Sequence, residues 1–334
     1  MTRGLSRRGV LRAFASLSVA ALVQSCAPTA VPNGVRVKRI GYLGGGVAAQ
    51  IATNAETLRQ SLVALGYVEG RDIRVDTRAA DADLSRIPAL FEELVALPSD
   101  VIVTTGSPAA LAARQATTTI PVVFVRASTP VRQGLVASLA RPGGNLTGIS
   151  AASVGPKQVE FLKAVVPNLK RISVLWNANN PGAAIQLGDI EEGARALDVR
   201  IDAFAIHDAQ ELSQALEKIA TSLPDGLLIA PAFNIAFDVK LISNFAIDAK
   251  LPHVFSSDLP WAAAGGLMEI GANSAAEMQR AAVFVDKILR GARPADLPVE
   301  LPTKFDVILN LTTAERIGLA IPPAVLAQAT EVIR

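Results

Sequence analysis

The sequence predicts an α/β protein built as two lobes, each a doubly wound parallel sheet, and three observations carry that expectation. Short apolar runs alternate with amphipathic helical stretches from residue 36 onward, the pattern of parallel sheets covered by helices on both faces. The series is interrupted at Arg141-Pro142-Gly143-Gly144-Asn145-Leu146-Thr147-Gly148-Ile149-Ser150 and then begins again. There a Pro-Gly-Gly-Asn turn signal feeds a short β-type run, as expected where a strand leaves one sheet for another. A chain of 334 residues also suits two domains of ordinary size. Two lobes hinged at this crossover would hold a ligand cleft between them.

The elements follow in order. Arg36 to Leu43 reads as a first strand ending at Gly44-Gly45-Gly46. Ala55, Leu58, Leu62 and Leu65 recur at helical spacing, with Gly66 where a helix stops. A second strand, Ile73 to Thr77, precedes a helix with the apolar face Leu84, Ile87, Leu90, Leu94 and Leu97, capped by Asp81 or Asp83. The continuous apolar run from Asp100 to Thr105 reads as a buried parallel strand. A helix through Ala109 to Gln115, a strand Pro121 to Val125 and a short helix Gly134 to Ala140 lead to the crossover. Beyond it, strands are expected at Arg171 to Trp176, Val199 to Ala205, Gly226 to Ala230 and His253 to Ser256. Helices are expected at Val159 to Val166, Ala183 to Leu197, Gln210 to Ala220 and Asp238 to Ala249.

Composition narrows the function. Half the residues are hydrophobic, which supports a large core and argues against intrinsic disorder. Aromatic residues make up 4%, too few for a nucleic-acid stacking platform. Residues 1–26 contain Arg3, Arg7, Arg8 and Arg12 and no acid, leaving 28 basic against 30 acidic residues in the rest. That nearly neutral body has no electrostatic footprint for DNA or RNA, so no nucleic-acid partner is expected.

Residues 1–26 read as an export signal rather than part of the fold. The basic start precedes an apolar run, Ala13 to Val23, that is too short to span a bilayer as a helix. Ser6-Arg7-Arg8-Gly9-Val10-Leu11-Arg12 is similar to the twin-arginine signal, with Val10 where Phe is usual. Val23-Gln24-Ser25-Cys26 resembles a lipoprotein processing box, although Gln24 matches it poorly; Cys26 is either a lipidation site or an inert thiol. As the sole cysteine it leaves no intrachain disulfide. Residues 27–35, with Pro28, Pro32, Asn33 and Gly34, read as a tether.

Several stretches spread along the chain carry a family resemblance. They are Leu65-Gly66-Tyr67-Val68-Glu69-Gly70-Arg71, the run from Ala137 to Gly148, Val174-Leu175-Trp176-Asn177, Val285 to Ala292 and Pro302-Thr303-Lys304-Phe305. In these the chain resembles the bacterial ABC-transporter substrate-binding proteins of the tryptophan/tyrosine-uptake-related group, which have the type I periplasmic-binding-protein fold. The resemblance implies three crossovers between the lobes, at Leu146 to Ser150, at Gly265 to Glu269 and at Pro302 to Val307. The first lobe would then comprise residues 36–146 plus about 265–300, and the second residues 147–264 plus about 301–334. It also implies an extracytoplasmic protein that binds a small solute between closing lobes and delivers it to an ABC permease, without a cofactor. A ligand-sensing protein that signals to a receptor would use the same fold.

Ligands of parallel α/β sheets bind beyond the carboxyl ends of the strands, and that rule selects the candidate site residues. Gly45 lies in a tight turn where a ligand or the opposite lobe can approach the backbone. Thr105 and Ser107 precede a helix N-terminus, an arrangement that suits a carboxylate or a simple helix cap by Ser107. Ser128 and Thr129 form a second hydroxyl cluster with the same two readings. From the second lobe, Asn177 and Asn179 either hydrogen-bond a ligand or shape the turn before Pro181-Gly182. Phe233 offers an apolar wall. Asp258 suits a ligand amine or an N-cap.

The sharpest rival is an exported NAD(P)-dependent oxidoreductase. Gly44-Gly45-Gly46-Val47-Ala48-Ala49 fits G-x-G-x-x-A after a strand, with Asp76 expected at the end of the next strand where a ribose-binding acid sits. Other chemistry is poorly supplied. The two histidines, His207 and His253, lie far apart in the sequence, so no metal site is expected, and there is no G-x-S-x-G elbow. No catalytic residue is assigned.

Overall fold

A computed structural model describes residues 36–231, 239–256 and 261–334. Its strands form two sheets. In the first, β1 (Lys38–Gly44), β2 (Ile73–Ala79), β3 (Val101–Thr105), β4 (Val122–Ala127) and β5 (Leu146–Ser150) are ordered β2-β1-β3-β4-β5, all parallel. Helices α1 (Ala48–Ala64), α2 (Ile87–Ala96) and α3 (Ser107–Ala116) connect the first four strands. The second sheet contains β6 (Arg171–Asn177), β7 (Arg200–Ile206), β8 (Gly226–Ile229), β9 (His253–Phe255), β10 (Met268–Ala272), β11 (Phe305–Asn310) and β12 (Glu331–Ile333), ordered β12-β11-β10-β9-β8-β6-β7. Around it lie α4 (Gly155–Val165), α5 (Pro181–Ala196), α6 (Ala209–Ser222), α7 (Val239–Asp248) and two short C-terminal helices, α9 (Leu311–Ile317) and α10 (Pro323–Leu326). The remaining long helix, α8 (Ser274–Leu289), belongs to the other sheet and packs against α1 and β4.

Each sheet is buried on both faces. One face of the first meets α1 and α8, where Tyr42, Leu58, Val103, Phe284 and Val285 share an apolar cluster. The other meets α2 and α3 through Leu43, Phe91, Ile102 and Phe124. The second sheet is likewise sandwiched, by Phe161, Ile190 and Val254 on one side and by Leu216, Ile242 and Phe255 on the other. Runs such as Val101 to Thr104 and Gly226 to Ile229 are buried at every residue, which is why they read as continuous apolar stretches without alternation.

The crossings differ in detail from the sequence expectation. Leu146 to Ser150 does not leave the first sheet; it is hydrogen-bonded to β4 from Leu146↔Val122 to Ser150↔Ala127, so the chain departs only after Ser150. Gly148 permits this: at φ 146° it lies so close to β4 that a Cβ would fall on the Phe124 carbonyl. Met268 to Ala272 belongs to the second sheet, so the return comes at Asn273 rather than at Gly265-Gly266. Because β11 enters where β10 leaves, pairing Phe305 with Ala272, those two strands run antiparallel in an otherwise parallel sheet. The helix expected over Gly134 to Ala140 is a series of turns instead, with Leu135 N bonded to Pro130 O and Ala137 N to Pro142 O. Backbone partners from the flanking prolines replace the helical ones there.

Asp76 is not at a strand end. The strand continues to Ala79, and the Asp76 carboxylate is bound by Arg39 and Arg74. Asp76 therefore does not stand where the fingerprint needs its acid.

Candidate functional site

A cavity of about 100 Å³ lies where the two lobes meet. This is several times the space a single water needs. Its first-lobe wall is made by the strand ends and the turns that follow them, as the topology requires. The β1–α1 turn contributes Gly45, where an added Cβ would come within 2.9 Å of Leu84 Cδ2. From β3, Thr105 lines the cavity and shares a 2.9 Å hydrogen bond with the Tyr42 hydroxyl. Tyr42 also hydrogen-bonds Asn54, whose Oδ1 accepts from Gln50 Nε2 at 3.1 Å. Burial pushes the Tyr42 phenol above its ordinary pKa, so this polar chain stays neutral.

Ser107 opens α3 but does not cap it. The capping position is Gly106, at φ 87°, and no side chain accepts from the first turn. Instead Ser107 Oγ accepts from Ser128 N at 3.0 Å and from Gln133 Nε2 at 3.2 Å. With both lone pairs engaged, its hydroxyl proton is left to donate. An uncapped helix N-terminus beside a hydroxyl donor suits an anionic oxygen.

The opposite wall comes from α5. Asn180 caps it by accepting from Gly182 N at 2.9 Å, and Pro181 occupies the first helical position. Gly182 brings this helix end onto the first lobe: a Cβ there would lie 2.8 Å from Ser107 Oγ and 3.0 Å from Ser128 Oγ. One turn on, Gln186 Nε2 reaches Ser128 Oγ at 3.4 Å and donates to Ala152 O at 3.2 Å. The lobes are thus in contact across the cavity.

Charge enters at the hinge side. A register shift between Val125 and Ala127 marks a bulge at Arg126, which has a left-handed backbone (φ 61°) and turns its side chain into the cavity wall. Arg126 Nη2 donates to Ala272 O at 3.0 Å and to Ser274 Oγ at 2.6 Å, and Nε pairs with the Glu277 carboxylate. This cluster joins the end of β4 to the end of β10 and the start of α8, where the chain changes lobe. Glu277 also lines the cavity.

Of the residues expected from sequence, Gly45, Thr105, Ser107 and Ser128 come together here. Thr129 does not line this cavity. At φ 38° it faces a neighbouring groove shared with Pro130 and Ser150. Asn177 and Asn179 take the turn-shaping role: Asn177 Oδ1 accepts from Asn179 N at 2.9 Å, and Asn179 Nδ2 donates to His207 O at 2.8 Å. Phe233, Asp258 and Cys26 lie outside the described residues, although Pro231 and Ser256, two residues before each of the first two, line the cavity. Sequence reasoning missed Asn54, Arg126, Asn180, Gln186 and Glu277.

Two sheet-and-helix lobes, linked by crossing segments and meeting at a cavity, define the type I periplasmic-binding-protein architecture. Residues 27–333 match the family model described as ABC transporter substrate binding protein, and the chain belongs to that family. It is a solute-binding component of an ABC transporter. The tyrosine-binding protein of Clostridioides difficile (strain R20291) is 26% identical over 255 residues, which span 76% of this chain and 73% of that protein. The structure of an ABC domain in complex with L-Trp from Streptococcus pneumoniae has a TM-score of 0.82 at 25% identity, covering 89% of this chain and 100% of that one. The ligand-free, open structure of CD0873 from Clostridium difficile scores lower, 0.68, at the same 25% identity, covering 89% of this chain and 99% of the other. The chain as a whole thus superposes better on the tryptophan-bound structure than on the open one.

Proposed function

We propose that this protein captures an α-amino acid or a related carboxylate outside the cytoplasmic membrane and presents it to an ABC permease. The observation that carries the reading is the first-lobe anion site: the uncapped N-terminus of α3 with the donor hydroxyl of Ser107 beside Ser128. Relatives whose names specify tyrosine and tryptophan as ligands support the amino-acid class. In this reading the carboxylate binds at Ser107, Asp258 faces the ammonium and Phe233 forms an apolar wall. Closure excludes water and strengthens each polar contact, so no covalent chemistry is needed.

A thermal-shift screen over amino acids, other carboxylates, nucleosides and sugars tests this, followed by calorimetry on the best L-amino acid. Ser107→Ala is expected to weaken binding of that amino acid by about ten- to a hundred-fold, the worth of a charge-assisted hydrogen bond of roughly 1.5–3 kcal/mol, and to lower the melting point of the ligand-free protein because Ser128 N loses its acceptor. Stabilisation by sugars or nucleosides alone would remove the carboxylate assignment.

Export belongs to the same proposal and rests on residues 1–26. Replacing Arg7 and Arg8 by Lys should trap the full chain in the cytoplasm if the twin-arginine route is used, and Cys26→Ser should release a lipid-anchored form. Fractionation reads both; unchanged partitioning in both variants removes the route and the anchor.

A further inference from the structure

Gln186 occupies an unusual place. It lies on the buried face of α5, at the position where Ala183, Ile190 and Ala194 are apolar, and is 4% exposed. Its amide nitrogen is used twice, across the lobe boundary at Ser128 Oγ and on the crossing segment at Ala152 O. The Ala152 carbonyl can only accept, which fixes which end of the amide is the nitrogen. The other end, Oε1, is buried and has no hydrogen-bond partner among the described residues. An acceptor left in that condition carries a desolvation cost that a bound donor removes. The cavity is where such a donor would come from, since Gln186 lines it.

We propose that Gln186 couples occupancy to closure, its Oε1 accepting from the ammonium group of a bound α-amino acid while its Nε2 holds the first lobe and the crossing segment. The proposal rests on the amino-acid reading above and adds a second-lobe residue to it. The geometry is self-consistent. Ser128 borders the carboxylate site and also receives Gln186 Nε2, so a zwitterion with its carboxylate at Ser107 and Ser128 brings the ammonium, one carbon away, to the neighbouring Oε1. The two ends of one side chain then have separate roles: one reads the ligand and the other joins the lobes. An empty cleft leaves Oε1 unsatisfied when closed and hydrated when open, which favours opening until a donor arrives.

Matched ligands and two variants separate these roles. L-Tyrosine and L-tryptophan are titrated against their desamino analogues, 3-(4-hydroxyphenyl)propanoate and indole-3-propanoate, with the full mature protein in the calorimeter. Small-angle scattering follows compaction in parallel. The parent is expected to favour an amino acid over its desamino analogue by at least tenfold and to compact on binding it. Gln186→Met, which removes both functions, should lose most of that preference and at least tenfold in affinity. Gln186→Glu keeps an acceptor but not the donor, so it should retain the preference while compacting less. A Gln186→Met variant that keeps the full amine preference overturns the inference and leaves the amino-acid function standing. Failure of all four compounds to bind the parent overturns the inference through the ligand class on which it depends.

Discussion

Gly182 shows how a single missing methyl can control function. It is buried at the first turn of α5, and the space its side chain would need is taken by Ser107 Oγ and Ser128 Oγ of the other lobe. The hydroxyl contacts exist only while the lobes are closed, whereas Asn180 Oδ1, 3.2 Å from the same point, belongs to the same helix cap. Gly182→Ala should therefore change stability little, the better helix propensity of alanine offsetting the crowding of the cap. Ligand affinity should fall, since the closed form becomes strained. A melting curve and a titration on the same variant check this, and a variant that binds as tightly as the parent would show that closure does not need this contact.

His253 is the opposite case, a titratable residue with a structural task. Its Nε2 accepts from Leu267 N and its Nδ1 bonds Leu251 O, both at 2.8 Å, so the neutral tautomer with Nδ1 protonated is fixed. Complete burial pushes its pKa down from 6.5 to about 4. The unfolded chain thus takes up a proton below its ordinary value while the folded chain does not. The resulting stability is complete above 6.5 and is lost as pH falls from there towards 4. The loss should reach about 2–3 kcal/mol by roughly pH 4.5. Urea unfolding across this range should slope more steeply for the parent than for His253→Gln.

At the scale of elements, α8 is the piece that makes the first lobe discontinuous. It turns Met278, Ala281, Phe284, Val285 and Ile288 onto the face of the first sheet that α1 leaves uncovered. A fragment of residues 36–150 has all five strands of that sheet but lacks this cover. It should be aggregated or molten, and fusing residues 273–300 to it should restore cooperative unfolding and dispersed amide NMR signals. A monomeric, cooperatively folding 36–150 fragment would show the cover to be dispensable.

The elements were legible because their periodicity reports burial directly: α3, α5 and α6 and the strands around them begin and end within about two residues of the expected positions. The site was half legible, for a different reason. Thr105, Ser107 and Ser128 follow strand ends, and topology alone sends strand ends to the cleft. Asn54, Gln186 and Glu277 sit inside helices, so position relative to strands says nothing about them. Their signal was a polar residue where the helical period calls for an apolar one: Asn54 beside Ala55 and Leu58, Gln186 between Ala183 and Ile190, Glu277 beside Met278 and Ala281. Arg126 has no such signal, because the bulge that turns it towards the cavity depends on pairing with a strand some twenty residues away.

At the scale of the whole molecule, the cleft is a place where two rigid bodies meet through few atoms. The sheets are covered by their own helices, while the cavity boundary depends on Gly182, Gln186 and the crossing segments. Rotation about those crossings can therefore proceed without disturbing either core. Binding should reduce the radius of gyration while leaving the far-ultraviolet circular dichroism unchanged. A change in secondary structure on binding would point to refolding rather than rigid closure.

The meeting of α3 with α5 has an electrostatic consequence. Both helices present their amino ends to the same point, so two partial positive poles face each other across the cleft. Like poles at that distance act as a spring against closure. In the proposed reading a carboxylate held at Ser107, beside both ends, is attracted to each and offsets that repulsion, so the ligand's charge would also act as the fastener. Small inorganic anions should compete for the same spot. Chloride should then weaken capture more than an equal ionic strength of a bulky anion that cannot enter.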